Sequence, residues 1–237
     1  MCIRDRYHPE RSAGEVVLRT DDLSFGREFP LGKHIDLEFH AGEVTALTGR
    51  NGVGKSTLAL TLAGLLEPLA GHVRMAERMV PPRRANDVST WKSRDLLGRV
   101  GMVFQEPEHQ FVTASVRDEV AVGPKSMGKT DEEAYRIADE ILERMNLKRF
   151  GPANPFTLSG GEKRRLSVAS MMAAAPKVVV MDEPTFGQDF TTWTEMVRLI
   201  ADVRDAGSAV IMVTHDEALI EALDARRIVV SEEEQHD

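Results

Sequence analysis

The chain is poor in cysteine: Cys2 is the only one among 237 residues. No internal disulfide can form, redox chemistry and cysteine-based metal sites drop out, and a reducing cytosol is the simplest setting. Also missing is an apolar run of the roughly 18 to 20 residues that a membrane-spanning helix needs. The richest stretch, Met171 to Met181, is broken by Pro176 and Lys177, so the chain is not expected to form a channel. Its first residues, Met1 to Tyr7, are charged and lack the apolar centre of a secretory signal, which argues against export. Residues 1–15 read as a disordered or foreign leader. There is no internal repeat, no long insertion and no basic stretch, and the formal charge is -8. That balance leans against a surface built to neutralise nucleic-acid phosphates, so no nucleic acid is expected as a partner.

What is present suits one large folded domain, with or without a smaller lobe: 42% of the residues are hydrophobic and 29% charged. Ile35 to Phe39 alternates apolar and polar as a half-buried strand does, and Val44 to Leu47 follows after a turn at Gly42. Lys55 to Leu66 turns helical, with Leu58, Leu62 and Leu65 or Leu66 on one face. Arg83 to Asp95 is polar and mixed, as a connection between lobes would be, and Arg99 to Phe104 reads as a short buried strand. Between Thr130 and Met145 the apolar residues Ala134, Ile137, Ala138, Ile141, Leu142 and Met145 share a helical face, and Thr130 and Glu133 have capping-box spacing. Further helices are expected over Gly161–Ala175 and Thr192–Asp205. Continuous apolar strands are expected at Val178–Met181, Ala209–Val213 and Arg227–Val230. Strands alternating with helices make the chain an α/β protein with a mainly parallel sheet. The acidic tail, residues 231–237, is expected to be solvated.

Gly49-Arg50-Asn51-Gly52-Val53-Gly54-Lys55-Ser56-Thr57 fits G-x-x-x-x-G-K-[ST] between a predicted strand and a predicted helix. Glycines let the backbone wrap closely enough for several N–H groups to face phosphates, and the helix N-terminus adds partial positive charge. Lys55 then neutralises β- and γ-phosphate oxygens, Ser56 takes a position on Mg²⁺, and Thr57 contacts the α-phosphate. Asp182 and Glu183 end a buried apolar strand, which puts two carboxylates at the carboxyl edge of the sheet, where open α/β folds bind ligands. Asp182 is expected to hold Mg²⁺, usually through water, and Glu183 to orient and polarise the water that attacks the γ-phosphate. His215 follows the strand Ala209–Val213 and emerges at the same edge, within reach of that phosphate.

Leu158-Ser159-Gly160-Gly161-Glu162-Lys163 resembles the signature sequence of the ATP-binding cassette (ABC) family. Ser159 and Glu162 also have the spacing of a capping box, and both readings can hold together. The resemblance covers about Leu18 to Val230. It implies the P-loop nucleoside-triphosphatase fold, an N-terminal antiparallel β layer and an inserted helical subdomain. Residues 16–230 form one ATPase domain in this reading, with a nucleotide-binding core in 16–84 and 177–230. The Q-loop and the helical subdomain occupy about 85–176. Two such domains dock head to tail, so Ser159, Gly160, Gly161 and Glu162 serve ATP held by the other domain's phosphate loop. Gln105 resembles the Q-loop glutamine, which helps hold Mg²⁺ and senses a membrane partner; Asp189 resembles the D-loop aspartate, and His215 the switch histidine. Arg27 stands where the adenine-stacking aromatic is aligned, with Phe25 and Phe29 nearby, and Gln188 stands where leucine is usual.

Val103 to Phe111, followed by Ser115 to Val120, looks like the ATPases of energy-coupling factor importers for vitamins and metal ions. Thr185 to Asp189 resembles the second domain of tandem ATPases of that group, some linked to thiamine-precursor uptake. The resemblance implies an ATPase using ATP and Mg²⁺. It sits peripherally at the cytoplasmic face of the membrane, beside a second ABC ATPase domain and a transmembrane coupling protein. One rival is a non-transport ABC ATPase acting on nucleic acid or the ribosome; another is a non-hydrolysing regulatory module, which would normally lack Glu183, His215 or Ser159. His109 reads as a loop residue and Met171-Met172 as core packing.

Overall fold

A computed structural model describes residues 2–6 and 14–231. In chain order the elements are β1 (Cys2–Arg6), β2 (Val16–Gly26), β3 (Pro30–Ile35), β4 (Glu38–His40), β5 (Val44–Thr48), α1 (Lys55–Leu62), β6 (Ala70–Met75), α2 (Ser93–Leu96) and β7 (Val100–Val103). They continue with α3 (Val116–Ser126), α4 (Asp131–Arg144), α5 (Gly160–Ala173), β8 (Val178–Asp182), α6 (Phe190–Asp205), β9 (Ala209–Val213), α7 (Glu217–Ala222) and β10 (Arg226–Ser231). A six-stranded sheet runs in the order β1-β10-β5-β9-β8-β7, parallel throughout except for β1, which pairs antiparallel with β10. A four-stranded antiparallel sheet joins β3, β2, β4 and β6, with β2 pairing all three others.

Strands β5, β8 and β9 are buried along their whole length, which is why they read as unbroken apolar runs. Successive side chains point to opposite faces. Val178, Val180, Ile211 and Val213 therefore enter one core with Leu58 and Leu62 of α1 and Leu18, Leu23 and Phe25 of β2. Val179, Met181, Val210 and Met212 enter a second core with Ala134, Ala138 and Leu142 of α4 and Leu166, Val168 and Ala169 of α5. Fully burying a side chain such as Leu166 stabilises by about 2 kcal/mol. The α/β fold, with its parallel sheet and its separate antiparallel layer, is thus the one expected.

Several boundaries differ from expectation for local reasons. Within the stretch expected to be a disordered leader, Cys2–Arg6 pairs in register with Arg6 opposite Arg227 and Cys2 opposite Ser231. The half-buried strand expected over 35–39 is interrupted at Asp36 and Leu37. There side chains supplement a single backbone bond, Thr20 N to Leu37 O at 2.9 Å: Thr20 Oγ1 accepts from Leu37 N at 2.8 Å, and Asp36 Oδ1 accepts from Asp22 N at 2.7 Å. Helix α1 stops at Leu62 because Gly64, at φ 70, closes a Schellman turn: Leu65 N donates to Leu60 O at 2.9 Å and Gly64 N to Thr61 O at 3.0 Å. Leu65 therefore stays half exposed rather than joining the buried face. Helix α6 begins two residues early, at Phe190, because Asp189 caps it. Helix α4 opens with the expected capping box of Thr130 and Glu133. Within the stretch assigned to the Q-loop and helical subdomain, β7 is an edge strand of the parallel sheet. Ser231 ends β10, and the rest of the acidic tail lies outside the described residues.

Candidate nucleotide site

The phosphate loop leaves β5 and enters α1 through backbone that only glycine adopts easily. Gly49 has φ 140, and a Cβ there would stand 2.1 Å from Val230 O of β10. Gly54 sits at the N-cap of α1 with φ 101, without a capping side chain or an acidic residue in the first turn. The first N–H groups of α1 thus keep no side-chain acceptor, and the dipole leaves them partly positive. Lys55 Nζ folds back to donate to Gly49 O and Arg50 O, both at 2.9 Å. Burial lowers its pKa, against the pull of Glu183 and Asp182. Val53 turns into the core, 5% exposed.

The strand ends supply the rest. Asp182 is the last residue of β8; Glu183, at φ 47, donates its N–H to Val213 O of β9 at 2.9 Å. A non-glycine residue in that region is strained backbone, and it turns the Glu183 side chain toward His215, whose Nε2 lies 3.7 Å from Glu183 Oε1. Burial raises the pKa of Asp182, opposed by a hydrogen bond from Ser56 and by the charges of Lys55 and Arg164. Burial also raises Glu183, opposed by His215 and reinforced by Asp182. Among the described residues, Asp182 Oδ1 is a buried acceptor with no hydrogen-bond partner. An unpartnered carboxylate oxygen beside the Ser56 hydroxyl suits a hard divalent cation such as Mg²⁺.

One cleft of about 730 Å³ gathers Asn51, Gly52, Gly54, Lys55, Ser56, Thr57, Gln105, Asp182, Glu183 and His215 at the carboxyl edge of the parallel sheet. The candidate residues from four separate stretches of sequence therefore meet. Arg50 and Gly49 contribute through the carbonyls that hold Lys55. The arrangement offers a cation, helix N–H groups, a cation-binding oxygen and a carboxylate of raised pKa around one polyphosphate-sized space.

Ser159, Gly160, Gly161, Glu162 and Asp189 do not line this cleft. Helix α5 is capped at its start rather than left bare: Glu162 Oε2 accepts from Ser159 N at 2.9 Å and from Ser159 Oγ at 2.7 Å, while Ser159 Oγ accepts from Glu162 N. These bonds hold the Glu162 carboxyl below its ordinary pKa. The box uses the N–H groups of Ser159 and Glu162, not those of Gly160 and Gly161. A Cβ on Gly161 would stand 3.5 Å from Gln188 Oε1 and Thr192 Oγ1, so the signature abuts the D-loop of its own chain. Asp189 is spent locally, accepting from Thr191 N at 2.9 Å and Thr192 N at 3.0 Å.

Two apolar residues that sequence reasoning passed over, Leu31 and Phe186, line the cleft. Phe25 is fully buried beneath Gly54, and Phe29, 76% exposed, stands outside it. Of the aromatics near Arg27, neither Phe25 nor Phe29 lines the cleft; Leu31 and Phe186 supply its apolar wall. No spacing signal marks Leu31, because it sits in a hairpin with no periodicity of its own.

Asp216 was also missed. Its Oδ2 accepts from Trp193 Nε1 at 2.6 Å and Thr185 Oγ1 at 2.9 Å, and its Oδ1 caps α7 through Leu219 N at 3.0 Å. It thus ties the segment after Glu183 to the residue after His215. Asp216→Ala should lower the unfolding free energy by on the order of 3 kcal/mol, from lost charge-assisted bonds and a lost cap. Burial acts to raise the Asp216 pKa, but the bonds from Trp193, Leu219 N and Thr185 outweigh it and leave the pKa lowered. The wild-type advantage is therefore complete above the ordinary carboxylate value of 3.8 and fades as pH falls through the lower folded value. Urea denaturation of both proteins across pH 2 to 7 checks this; a difference that is unchanged at low pH would refute it.

Residues 32–186 match the ABC transporter family. The chain is 40% identical over 209 residues to YkoD of Bacillus subtilis, named as an HMP/thiamine import ATP-binding protein, with 88% of this chain and 36% of YkoD covered. It is 43% identical over 185 residues to the energy-coupling factor transporter ATP-binding protein EcfA2 of Lactococcus lactis, covering 76% of this chain and 62% of EcfA2. The chain thus spans about a third of the first relative and three-fifths of the second. Among solved structures it resembles cbiO1 of Clostridium perfringens, described as part of the ABC transporter complex cbiONQ. That likeness has a TM-score of 0.72 at 28% identity and covers 88% of this chain and 82% of cbiO1. With the family model matched over residues 32–186, this chain belongs to the ABC transporter family as one of its ATP-binding domains.

Proposed function

We propose that the chain is the ATP-hydrolysing subunit of a membrane importer of the energy-coupling factor type, taking up a vitamin or metal ion, and that it works as one half of a head-to-tail ATPase pair. The observation that carries this reading is the division of the motifs. Phosphate loop, Gln105, acidic pair and His215 line one cleft, while Ser159 to Glu162 lie outside it. A signature that does not line its own chain's cleft has a use when a second domain brings a nucleotide to it. The names of the relatives support import over a nucleic-acid machine, and the membrane partner, a transmembrane coupling protein, docks near Gln105 at the cytoplasmic face.

In this mechanism Lys55 exchanges its two carbonyl acceptors for β- and γ-phosphate oxygens, and the N–H groups at the start of α1 hold the remaining charge. Ser56, Asp182 and Gln105 would hold Mg²⁺, which when bound supplies neutralisation of phosphate charge. Glu183, kept basic enough by its raised pKa, takes up the proton side of the attacking water, and His215 steadies the γ-phosphate. Ser159 and Gly161 close over the γ-phosphate of the second domain's ATP, so ATP joins the pair and hydrolysis releases it. Asp189 lies at that junction.

Head-to-tail pairing makes a complementation test decisive. Lys55→Ala and Ser159→Arg chains should each be inactive alone, yet an equal mixture should recover a substantial part of the phosphate release, because mixed pairs contain one undamaged composite site. Two inactive chains that stay inactive after mixing and demonstrated pairing would refute the arrangement.

A further inference from the structure

Arg164, whose charge acts on Asp182, is one of the few buried charges among the described residues, 4% exposed. It projects from the second turn of α5 and holds the loop that follows β7 by its main chain. Its Nη1 donates to Phe104 O at 2.8 Å and its Nη2 to Gln105 O at 2.6 Å. A guanidinium presents donors in a fixed planar fork, so two successive carbonyls are pinned by one rigid group. Neighbouring residues of α5 hold the rest of the same loop. Lys163 Nζ pairs with Glu108, and Ser167 O accepts from Gln110 Nε2 at 3.1 Å. Strand β7 ends at Val103, so Phe104 and Gln105 lie beyond its ladder and are held by Arg164 through their carbonyls.

We propose that Arg164 is a positioning residue that sets Gln105 in the nucleotide cleft and makes it move with α5, the helix that begins at the signature. The inference rests on the reading of Gln105 as a ligand for the Mg²⁺–ATP complex. Its charge is suited to the place: burial works against the Arg164 cation, and Asp182 and Glu183 favour it. Both of its terminal nitrogens are bonded to the loop, so displacing α5 relative to the sheet drags Phe104 and Gln105 with it. Contact between the signature and a second domain's ATP would in this way be felt at Gln105 of the same chain, without a path through the phosphate loop.

The test uses the full chain and ATP binding by calorimetry, with and without Mg²⁺, for wild type, Arg164→Lys, Arg164→Gln, Gln105→Ala and the Arg164→Gln/Gln105→Ala double variant. The readout is the factor by which Mg²⁺ tightens ATP binding. Gln105→Ala and Arg164→Gln should each lower that factor by roughly tenfold, the scale of one charge-assisted hydrogen bond. Mg²⁺-free affinity should be unchanged, and the double variant should be no worse than either single one. Arg164→Lys, which keeps the charge and loses the fork, should fall between wild type and Arg164→Gln. Amide hydrogen exchange should speed up across residues 104–110 in the Arg164 variants and stay at the wild-type rate in the phosphate loop. If Gln105→Ala leaves the Mg²⁺ factor intact, the reading of Gln105 fails. If Gln105→Ala lowers it and the Arg164 variants do not, or if the two lesions add, the positioning role of Arg164 is overturned. Faster exchange over the whole chain, with ATP binding weakened equally with and without Mg²⁺, would mark a merely structural arginine and overturn it as well.

Discussion

Replacing Glu183 by glutamine is expected to cut ATP hydrolysis by about 10³ while leaving ATP bound, since a positioned general base contributes roughly 10²- to 10⁴-fold. The amide keeps the shape of the side chain and can still hydrogen bond, but it cannot accept a proton from water. Removing a negative charge beside the phosphates does not weaken their binding, so calorimetric affinity should hold or improve. Wild-type pH dependence follows from the same residue. Burial raises the Glu183 pKa above its ordinary 4.5, so the active, deprotonated form is lost as pH falls through that raised value, and hydrolysis falls with it. The limb belongs to Glu183 only if it disappears from the residual activity of Glu183→Gln. Undiminished phosphate release by the variant would end the proposed role.

Lys55→Ala should weaken ATP binding about 100-fold, because charge-assisted bonds to phosphate contribute about 1.5 to 3 kcal/mol each. The same ammonium donates to Gly49 O and Arg50 O, which fixes it over the phosphate loop. AMP, which lacks the β- and γ-phosphates, provides the control: its weaker binding should hardly change. Equal losses for ATP and AMP would show a collapsed loop rather than a missing phosphate ligand. The variant should also be less stable at neutral pH without nucleotide, since Asp182 and Glu183 lose the cation that offsets their charge.

The parts of the fold that could be read from sequence are those whose residues face a single environment. Val178 to Met181 and Ala209 to Val213 are apolar because both faces of the parallel sheet are covered, and Thr130 with Glu133 marks the start of α4 because the cap is local. Periodicity reveals little of the antiparallel layer, which the family resemblance implies. Strand β2 carries Arg19, Asp21 and Asp22 among its apolar residues, and Ala70–Met75 carries His72 and Arg74. Periodicity does not show how those charges are matched: Asp21 pairs with Arg74 fifty-three positions away, Asp22 with His34 and His72 with Asp87. Helix α3 escaped notice because Gly123 and Pro124 look like a break; the helix nevertheless runs to Ser126 with Pro124 buried inside it. The site was more legible than the fold around it. Phosphate-loop glycines, an acidic pair after a strand and a histidine after the next strand declare themselves by position. Leu31, Asp216 and Arg164 do not, because each earns its place through a neighbour distant in sequence.

The alternation of side chains along β8 and β9 makes the core of the helical part continuous with one face of those strands. Val179, Met181, Val210 and Met212 form its floor, and their immediate neighbours Val178, Val180, Ile211 and Val213 form the ceiling of the layer that contains α1. Melting either half would strip one side of strands that the other half requires. Calorimetry should accordingly record a single heat-absorption peak rather than two, and neither lobe should survive excision.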